Sequence, residues 1–153
     1  MRFGLLLVSL STGLAVGQPG SGVQYWPAAK LKGYSTALKA KTTKGMGSEQ
    51  LANLGNYTFM VARREESGEP EVHMNWSDVH IPQDGEATIV WGGKVEGGHE
   101  TQPGEIRGGK IVGGTSQKVR VGDVVVIPAG MPHQTVVEKG KPVTVMIMKV
   151  EKK

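Results

Sequence analysis

The fold is indicated most clearly by residues 122–133, which read GDVVVIPAGMPH. Gly122 begins a turn that leads into the run VVVI, whose β-branched residues favour a strand. Pro128 and Gly130 lie in a tight turn that ends this strand. His133 then starts the next strand, with a ring that can point into the interior. The stretch therefore predicts two short strands joined by a tight turn.

The sequence from residue 57 to residue 150 has the same character. Short segments rich in β-branched and aromatic residues alternate with Gly or Pro, as in a β-sandwich or barrel. The predicted strands cover residues 57–64, 71–75, 88–91, 105–107, 111–112, 117–121, 123–127, 134–138 and 143–150. Residues 92–98 (GGKVEGG) and 108–114 (GGKIVGG) are alike, which indicates two similar strands bounded by glycine.

The composition agrees with a single β domain. The chain has 153 residues, which fits one domain, and 23 of them are Gly without a Gly-X-Y period. The hydrophobic content of 38% is too high for a disordered chain. The sequence contains no Cys, which excludes a disulfide scaffold, a thiolate zinc site, an Fe–S cluster and a Cys nucleophile.

The start of the chain has the pattern of an export signal. Arg2 precedes an apolar run at residues 4–16, and residues 15–17 (AVG) fit a small-x-small cleavage site. The run is shorter than the roughly 20 apolar residues that span a bilayer. We therefore expect a signal peptide at residues 1–17 and a mature bacterial protein that is periplasmic or secreted, without a membrane segment.

An extension with short helices is predicted between this signal and the barrel, at residues 18–56. Pro27 suits the first turn of a helix, and residues 48–52 suggest another helical turn that ends near Gly55. Lysines are frequent along the chain, but no aromatic pattern or Arg-rich stripe accompanies them. The formal net charge of +4 is also modest, so a nucleic-acid partner is not expected.

Acidic residues and histidines are concentrated ahead of Gly85. Glu71 and His73 are two apart on a predicted strand, so their side chains point to one face. Asp78 follows after a turn and can return to that face, and His133 comes from the distant hairpin. Imidazole and carboxylate ligands suit Fe(II), Mn(II), Zn(II), Ni(II) or Cu(II). The pattern therefore favours a divalent transition-metal site.

These segments resemble the two motifs of the cupin superfamily. Residues 122–133 match the second motif, G-x5-P-x-G-x2-H, at every fixed position. The first motif, G-x5-H-x-H-x3,4-E-x6-G, is represented by Glu71-x-His73-x4-Asp78-x6-Gly85. Here Asp replaces the motif's Glu, Glu71 stands at the first His place, and the opening Gly is missing.

The resemblance extends to small single-domain cupins of the cupin 2 type and covers residues 57–150. These proteins have a PGEIRG segment before the second motif, found here at residues 103–108. Val137 departs from the family pattern, in which an Asn often follows the motif-two His. The resemblance implies an all-β, cupin-like double-stranded β-helix, or jelly-roll barrel, that follows the short helical N-terminal segment. It also implies a metal inside the barrel.

An alternative register of the first motif fits the spacing equally well. It uses His80-x-Pro82-x3-Glu86-x6-Gly93. This register is disfavoured because it places Pro82 at a ligand position inside a strand, where proline cannot donate to the ladder.

Further side chains are candidates for roles beside the metal. His80 is an inward acid or base, an extra ligand, or an ordinary half-buried histidine. Arg107 and Arg64 could bind a substrate carboxylate or phosphate, although exposed strand charges are the common alternative. We take His80 and Arg107 as candidate catalytic residues. Either Glu71 or Asn75 completes the ligand set.

Three functions remain open. The first is a metalloenzyme, such as an oxygenase, isomerase or decarboxylase, that acts on a small acid or sugar-like molecule. The second is a non-catalytic cupin module that binds a small ligand or a metal. The third is a metal-free sugar epimerase with His73 or His133 as base. A small molecule is the expected partner in each, and exposed strand edges together with the resemblance suggest a homodimer.

Overall fold

The computed structural model describes residues 22–153, which contain one α-helix and thirteen β-strands. The helix is α1 (Ala28–Lys39). The strands are β1 (Met46–Asn53), β2 (Tyr57–Arg64), β3 (Glu71–His73), β4 (Trp76–Asp84), β5 (Glu86–Trp91), β6 (Lys94–Glu96), β7 (His99–Gln102), β8 (Glu105–Arg107), β9 (Lys110–Val112), β10 (Thr115–Arg120), β11 (Val125–Ile127), β12 (His133–Val136) and β13 (Val143–Glu151). The predicted signal peptide at residues 1–17 lies outside the described residues, so export stays a prediction.

Two antiparallel sheets pack together as a jelly roll. One sheet has five strands in the order β1-β2-β13-β4-β11, and the other has six in the order β10-β5-β12-β3-β8-β7. The predicted strands at residues 57–64 and 105–107 are found with the expected bounds, and most others lie within a few residues of theirs. The all-β prediction is confirmed.

The hydrophobic core lies between the two sheets because strand alternation sends every second side chain inward. The core cluster combines residues of both sheets: Ala62, Ala87, Ile89, Val119, Ile127, Val137, Val143, Val145 and Ile147. The same alternation acts on polar residues. In β4, Asp78 and His80 are buried while Val79 between them is only partly buried.

Helix α1 covers the other face of the five-stranded sheet. Tyr34 and Leu38 are four residues apart on one side of the helix, and both pack against Val61 of β2. The Tyr34 hydroxyl also donates a hydrogen bond of 3.1 Å to Oε1 of Glu49 in β1. The helix predicted to begin at Pro27 is confirmed, with Pro27 as its N-cap. No helix within residues 22–153 has the length and apolar character needed to cross a membrane.

The second predicted helical turn, at residues 48–52, is wrong, because these residues belong to β1. Strand β1 pairs with β2 along most of its length, which satisfies its backbone hydrogen bonds. A bulge at Leu51 interrupts the register, and this side chain packs against the cluster beneath α1. Tertiary packing thus overrides a weak local preference, and the sheet begins before residue 57.

Pro82 is buried within β4, so the argument that excluded proline from this strand is wrong. It lies opposite Val145 of β13, at a register shift between Thr144 and Val145. An irregular ladder tolerates a residue that cannot donate a hydrogen bond. Strand β4 therefore contains both Asp78, which belongs to the preferred motif register, and His80, which belongs to the alternative one.

The glycine-rich repeat forms a two-stranded ribbon of β6 and β9, as its sequence indicates. Its register is symmetric about the pair formed by Val95 and Ile111, so the two copies are related by an approximate twofold axis. Gly93 and Gly109 are equivalent positions, with φ of +65° and +72°. A Cβ on either would lie 2.2 Å from a carbonyl oxygen of the opposite copy. Both positions therefore require glycine.

Candidate metal centre

Three strands bring the predicted site residues onto the inner face of the barrel. Glu71 and His73 lie in β3, Asp78 and His80 lie in β4, and His133 begins β12. His133 is directly opposite Glu71 in the β3–β12 ladder. All five residues are buried, with at most 8% of each exposed. The fold thus gathers histidines and carboxylates that are up to 62 positions apart in sequence.

Three histidine nitrogens surround one carboxylate oxygen. The Nε2 atoms of His73 and His80 each lie 3.5 Å from Oδ2 of Asp78, and Nε2 of His133 lies 3.8 Å from it. Glu71 faces the same space, with Oε2 3.7 Å from Nε2 of His73 and Oε1 3.5 Å from Nε2 of His133. Ligand atoms bound at about 2.1 Å to one ion lie roughly 3–3.5 Å apart, so these separations resemble a coordination shell.

Hydrogen bonds fix the outward nitrogens of two of these rings. Nδ1 of His73 lies 2.5 Å from Oε2 of Glu105, its direct neighbour across the β3–β8 ladder. Nδ1 of His133 lies 3.0 Å from the carbonyl oxygen of Met131. An ionised carboxylate or a carbonyl only accepts, so each Nδ1 carries a proton and donates it. In the neutral ring each Nε2 then keeps its lone pair toward the cluster, as metal ligation requires.

Four buried ring nitrogens of the cluster have no hydrogen-bond partner. They are Nε2 of His73, Nε2 of His133 and both nitrogens of His80. An unpaired buried polar atom costs about 1–3 kcal/mol and is uncommon in folded proteins. Two sets of three ligand atoms, Glu71–His73–His133 and Asp78–His80–His133, each lie within 4.8 Å of one another. A divalent cation would satisfy the three Nε2 atoms together, so the donor set fits a bound metal.

Each carboxylate is paired with a cation from a neighbouring strand. Arg107 donates a hydrogen bond to Oε2 of Glu71, which lies directly opposite it in the β3–β8 ladder. Nζ of Lys149 lies 3.0 Å and 3.2 Å from the two oxygens of Asp78, again from the opposing position. The sheet register therefore supplies a counterion for each acid.

The two acids stay ionised in spite of their burial. Burial by itself raises the pKa of Glu71, but the nearby His133 ring and the Arg107 charge outweigh it and lower the pKa to about 2. Burial likewise opposes ionisation of Asp78, while the neighbouring histidines and Lys149 hold its pKa well below the usual range. Two carboxylates thus face the cluster at neutral pH.

His73 is more basic than an ordinary histidine. Burial favours its neutral ring, but the contact with Asp78 outweighs this and raises the pKa of His73. A proton on Nε2 and a metal ion would compete for the same lone pair, so binding of a metal at His73 would release a proton.

A cavity of about 450 Å³ opens beside the cluster and gives a small molecule access to it. Its wall includes Glu71, Asp78 and His80. A second cavity of about 350 Å³ shares Arg107 and Lys149 with the first. The two cations therefore line both openings beside the buried acids.

The structure also separates the alternatives left by the sequence. Glu71 lies in the cluster, whereas Asn75 is exposed. The alternative motif register contributes His80 but not Glu86, which forms an ion pair of 2.9 Å with Lys118. The cluster therefore combines residues of the preferred register with one histidine of the other.

Glu105 and Lys149 belong to the site but were not predicted. Glu105 lies within the PGEIRG segment that supports the cupin resemblance, and this segment was its one sequence signal. Lys149 follows Ile147 at a spacing of two on β13, so it is a charged residue on an inward-facing row. Such a position is unusual for an unpaired lysine and could have indicated a buried acidic partner.

The sequence matches no protein-family model and no curated protein. The structure is similar to TT1209 from Thermus thermophilus, with a TM-score of 0.54 and 13% identity over 77% of this chain and 94% of that one. It is also similar to a recombinant oxalate oxidase in complex with glycolate, with a TM-score of 0.50 and 15% identity over 72% of this chain. The match covers 53% of the oxidase, so this chain spans about half of its length. Identity this low relates the folds alone.

Proposed function

We propose that this chain, which has the cupin fold, binds a divalent transition metal inside the barrel and holds a small molecule beside it. The ligands are Nε2 of His73, His80 and His133 together with a carboxylate oxygen of Asp78. The observation that carries this proposal is the convergence of three unpaired histidine nitrogens within 3.8 Å of that oxygen.

Glu71 completes the inner ligand set in this proposal. Its two oxygens face different histidines, at 3.7 Å from His73 and 3.5 Å from His133. Arg107 holds it from the outer side, so the carboxylate can approach a metal without leaving its counterion. Imidazole with carboxylate selects for Fe(II), Mn(II), Zn(II), Ni(II) or Cu(II), and the chain has no thiolate to change that preference.

The bound metal would supply Lewis acidity to a small molecule in the 450 Å³ cavity. The chain's own residues perform the remaining work. Glu105 keeps the His73 ring oriented, and the carbonyl oxygen of Met131 does the same for His133. Burial of the cluster excludes bulk water from the ligands. Such a site suits oxygenase, isomerase or decarboxylase chemistry, and a small-molecule ligand is supported by the glycolate complex of the oxalate oxidase with this fold.

Metal loading of the untagged full chain tests the proposal. Equilibrium dialysis against Zn(II), Mn(II), Ni(II) and anaerobic Fe(II), followed by elemental analysis, is expected to give about one metal ion per chain. The variants His80→Gln and His133→Gln should each weaken binding by at least about a hundredfold. His99→Gln is the matched control, because His99 is exposed in β7 and lies outside the cluster.

Two results would count against the proposal. The proposal would be refuted by a folded wild-type protein that takes up no metal. It would also be refuted by equal losses of metal binding in His133→Gln and His99→Gln. Turnover is tested separately, by product formation from a panel of small acids and sugars with the loaded protein. Metal and ligand binding without product would identify a binding module instead of an enzyme.

A further inference from the structure

Arg64 ends β2 on the inner side of the five-stranded sheet. Met60 and Ala62 precede it at the alternate positions and also face inward, where all three line the cavity beside the metal centre. Arg63 points the other way, since Nη1 of its guanidinium donates to the backbone oxygen of Ser35 in α1. Strand alternation therefore directs the Arg64 side chain toward the cavity.

The guanidinium of Arg64 makes no hydrogen bond or ion pair with any described residue between 22 and 153. The neighbouring arginines differ, since Arg63 pairs with Glu65 at 3.1 Å and Arg107 pairs with Glu71. Arg64 is nevertheless partly buried. Burial lowers the pKa of its guanidinium. The charge of Glu71 opposes this shift, and the charge of Arg107 adds to it. A desolvated cation without a partner is costly, and arginine remains charged in proteins.

Other cations around the cavity are already engaged. Lys149 is bound to Asp78 and Arg107 is bound to Glu71, whereas Lys44 lies exposed at the rim. Arg64 is thus the one partly buried cation on the described cavity wall that lacks a counterion. Its planar fork of donors matches a carboxylate through two parallel hydrogen bonds.

The cavity wall also has an apolar part, formed by Met46, Met60, Ala62 and Ile147. A ligand that satisfies both Arg64 and this apolar part carries one negative group and a short carbon skeleton. The exposed wall charges Lys44 and Glu69 have opposite signs, so the Arg64 guanidinium favours a ligand with one negative charge.

We propose that Arg64 is the specificity residue of the cavity and that the small molecule held beside the metal is a monocarboxylic acid. Its carboxylate pairs with the Arg64 guanidinium, and its carbon skeleton lies against Met60, Ala62 and Ile147. This inference rests on the proposed small-molecule function of the cavity and names the chemical class of its ligand.

The test compares butyrate with butyramide, which have the same size and differ in charge. Ligand-observed NMR titration of the untagged full chain, with and without Zn(II), measures both affinities. Butyrate is expected to bind roughly ten- to a hundredfold more tightly, as one charge-assisted pair provides. In the metal-free protein, where no zinc ion can bind the carboxylate, Arg64→Gln should remove this preference and Arg64→Lys should retain part of it. Arg120→Gln is the matched control, because Arg120 is exposed on β10.

Gly68→Ala gives a second variant that keeps the charge. A Cβ at Gly68 would lie 2.8 Å from Nη1 of Arg64, and the Gly68 backbone has no left-handed φ that would strain an alanine. The methyl group should therefore displace the guanidinium and weaken butyrate binding several-fold, with little effect on stability.

Equal affinities for butyrate and butyramide would overturn the inference. Equal behaviour of Arg64→Gln and Arg120→Gln would also overturn it, and so would inorganic phosphate bound more tightly than butyrate through Arg64. Elemental analysis of the same samples separates this outcome from failure of the metal proposal. A preference for butyrate without metal uptake supports the Arg64 assignment alone, whereas metal uptake without the preference supports the metal proposal alone.

Discussion

Replacing Glu105 by Gln tests how the metal centre is oriented from outside the ligand set. Glu105 contacts His73 directly, with Oε2 2.5 Å from Nδ1, and the same oxygen lies 3.7 Å from Nη2 of Arg107, the partner of Glu71. Gln keeps the shape of Glu and can still accept the hydrogen bond through its amide oxygen. The substitution therefore removes the negative charge while the His73 ring retains a possible partner.

The magnitude follows from the contact with His73, which is the shorter of the two. His73 is 2% exposed, so solvent screens the pair with Glu105 only weakly. A charge-assisted hydrogen bond in such surroundings contributes about 1.5–3 kcal/mol, which corresponds to roughly ten- to a hundredfold in an equilibrium constant. Carboxylate partners of metal-bound histidines have effects of about this size on metal affinity. We therefore expect Glu105→Gln to weaken zinc binding about ten- to a hundredfold.

A competition titration against a zinc-binding dye at pH 7 measures the change in the untagged protein. Glu96→Gln is the control, because Glu96 is largely exposed in β6 and its contact with Lys110 is a surface pair of 3.4 Å. The control should stay within about twofold of the wild type. Zinc affinity of Glu105→Gln equal to that of the control would refute the role of Glu105 in supporting a metal-bound His73.

Three further predictions concern protons and backbone strain. The pKa of Glu71 is lower in the folded protein, so its contribution to stability is full above about pH 5 and is lost as the pH falls toward 2. The free energy of unfolding of the metal-free protein, measured in urea, should fall by about 3 kcal/mol over this range. A Glu71→Gln variant with the same pH dependence would contradict this. Zinc affinity should rise with pH through the raised pKa of His73, because its proton must leave first; a flat profile in dye competition would argue against ligation there. Gly85→Ala should lower the melting temperature more than Gly55→Ala. Both glycines have a left-handed φ, but only a Cβ at Gly85 would meet a carbonyl oxygen, at 2.2 Å. Equal shifts in melting temperature would show that the backbone around Gly85 relaxes.

Local sequence was sufficient to predict the strands that bear most ligands. The turn residues around Pro128 and the apolar run before them are found as β11 and the turn into β12, with His133 at its start. The spacing of two places Glu71 and His73 on the same face of β3, as strand geometry requires, although Val72 between them is buried as well. These features depend on neighbours in sequence, so a single sequence contains the information.

The remaining parts of the site depend on pairing between distant segments. Lys149 is 71 positions from Asp78, and Glu105 is 32 positions from His73, so only the sheet register brings each pair together. Strand β4 is absent from the predicted strands, and Pro82 within it was used only to disfavour the alternative motif register. The register shift between Thr144 and Val145 of β13 accommodates Pro82, and no local sequence pattern predicts that shift.

In the proposed metal centre, three histidines from β3, β4 and β12 bind one metal ion. X-ray absorption at the zinc edge of the untagged, zinc-loaded protein tests this most directly, because imidazole rings give a characteristic multiple-scattering signal. We expect three imidazole nitrogens at about 2.0–2.1 Å together with carboxylate oxygen, and two imidazoles in His80→Gln. Zinc that is bound without imidazole, or a His80→Gln spectrum identical to that of the wild type, would show that the three histidines do not bind the metal together.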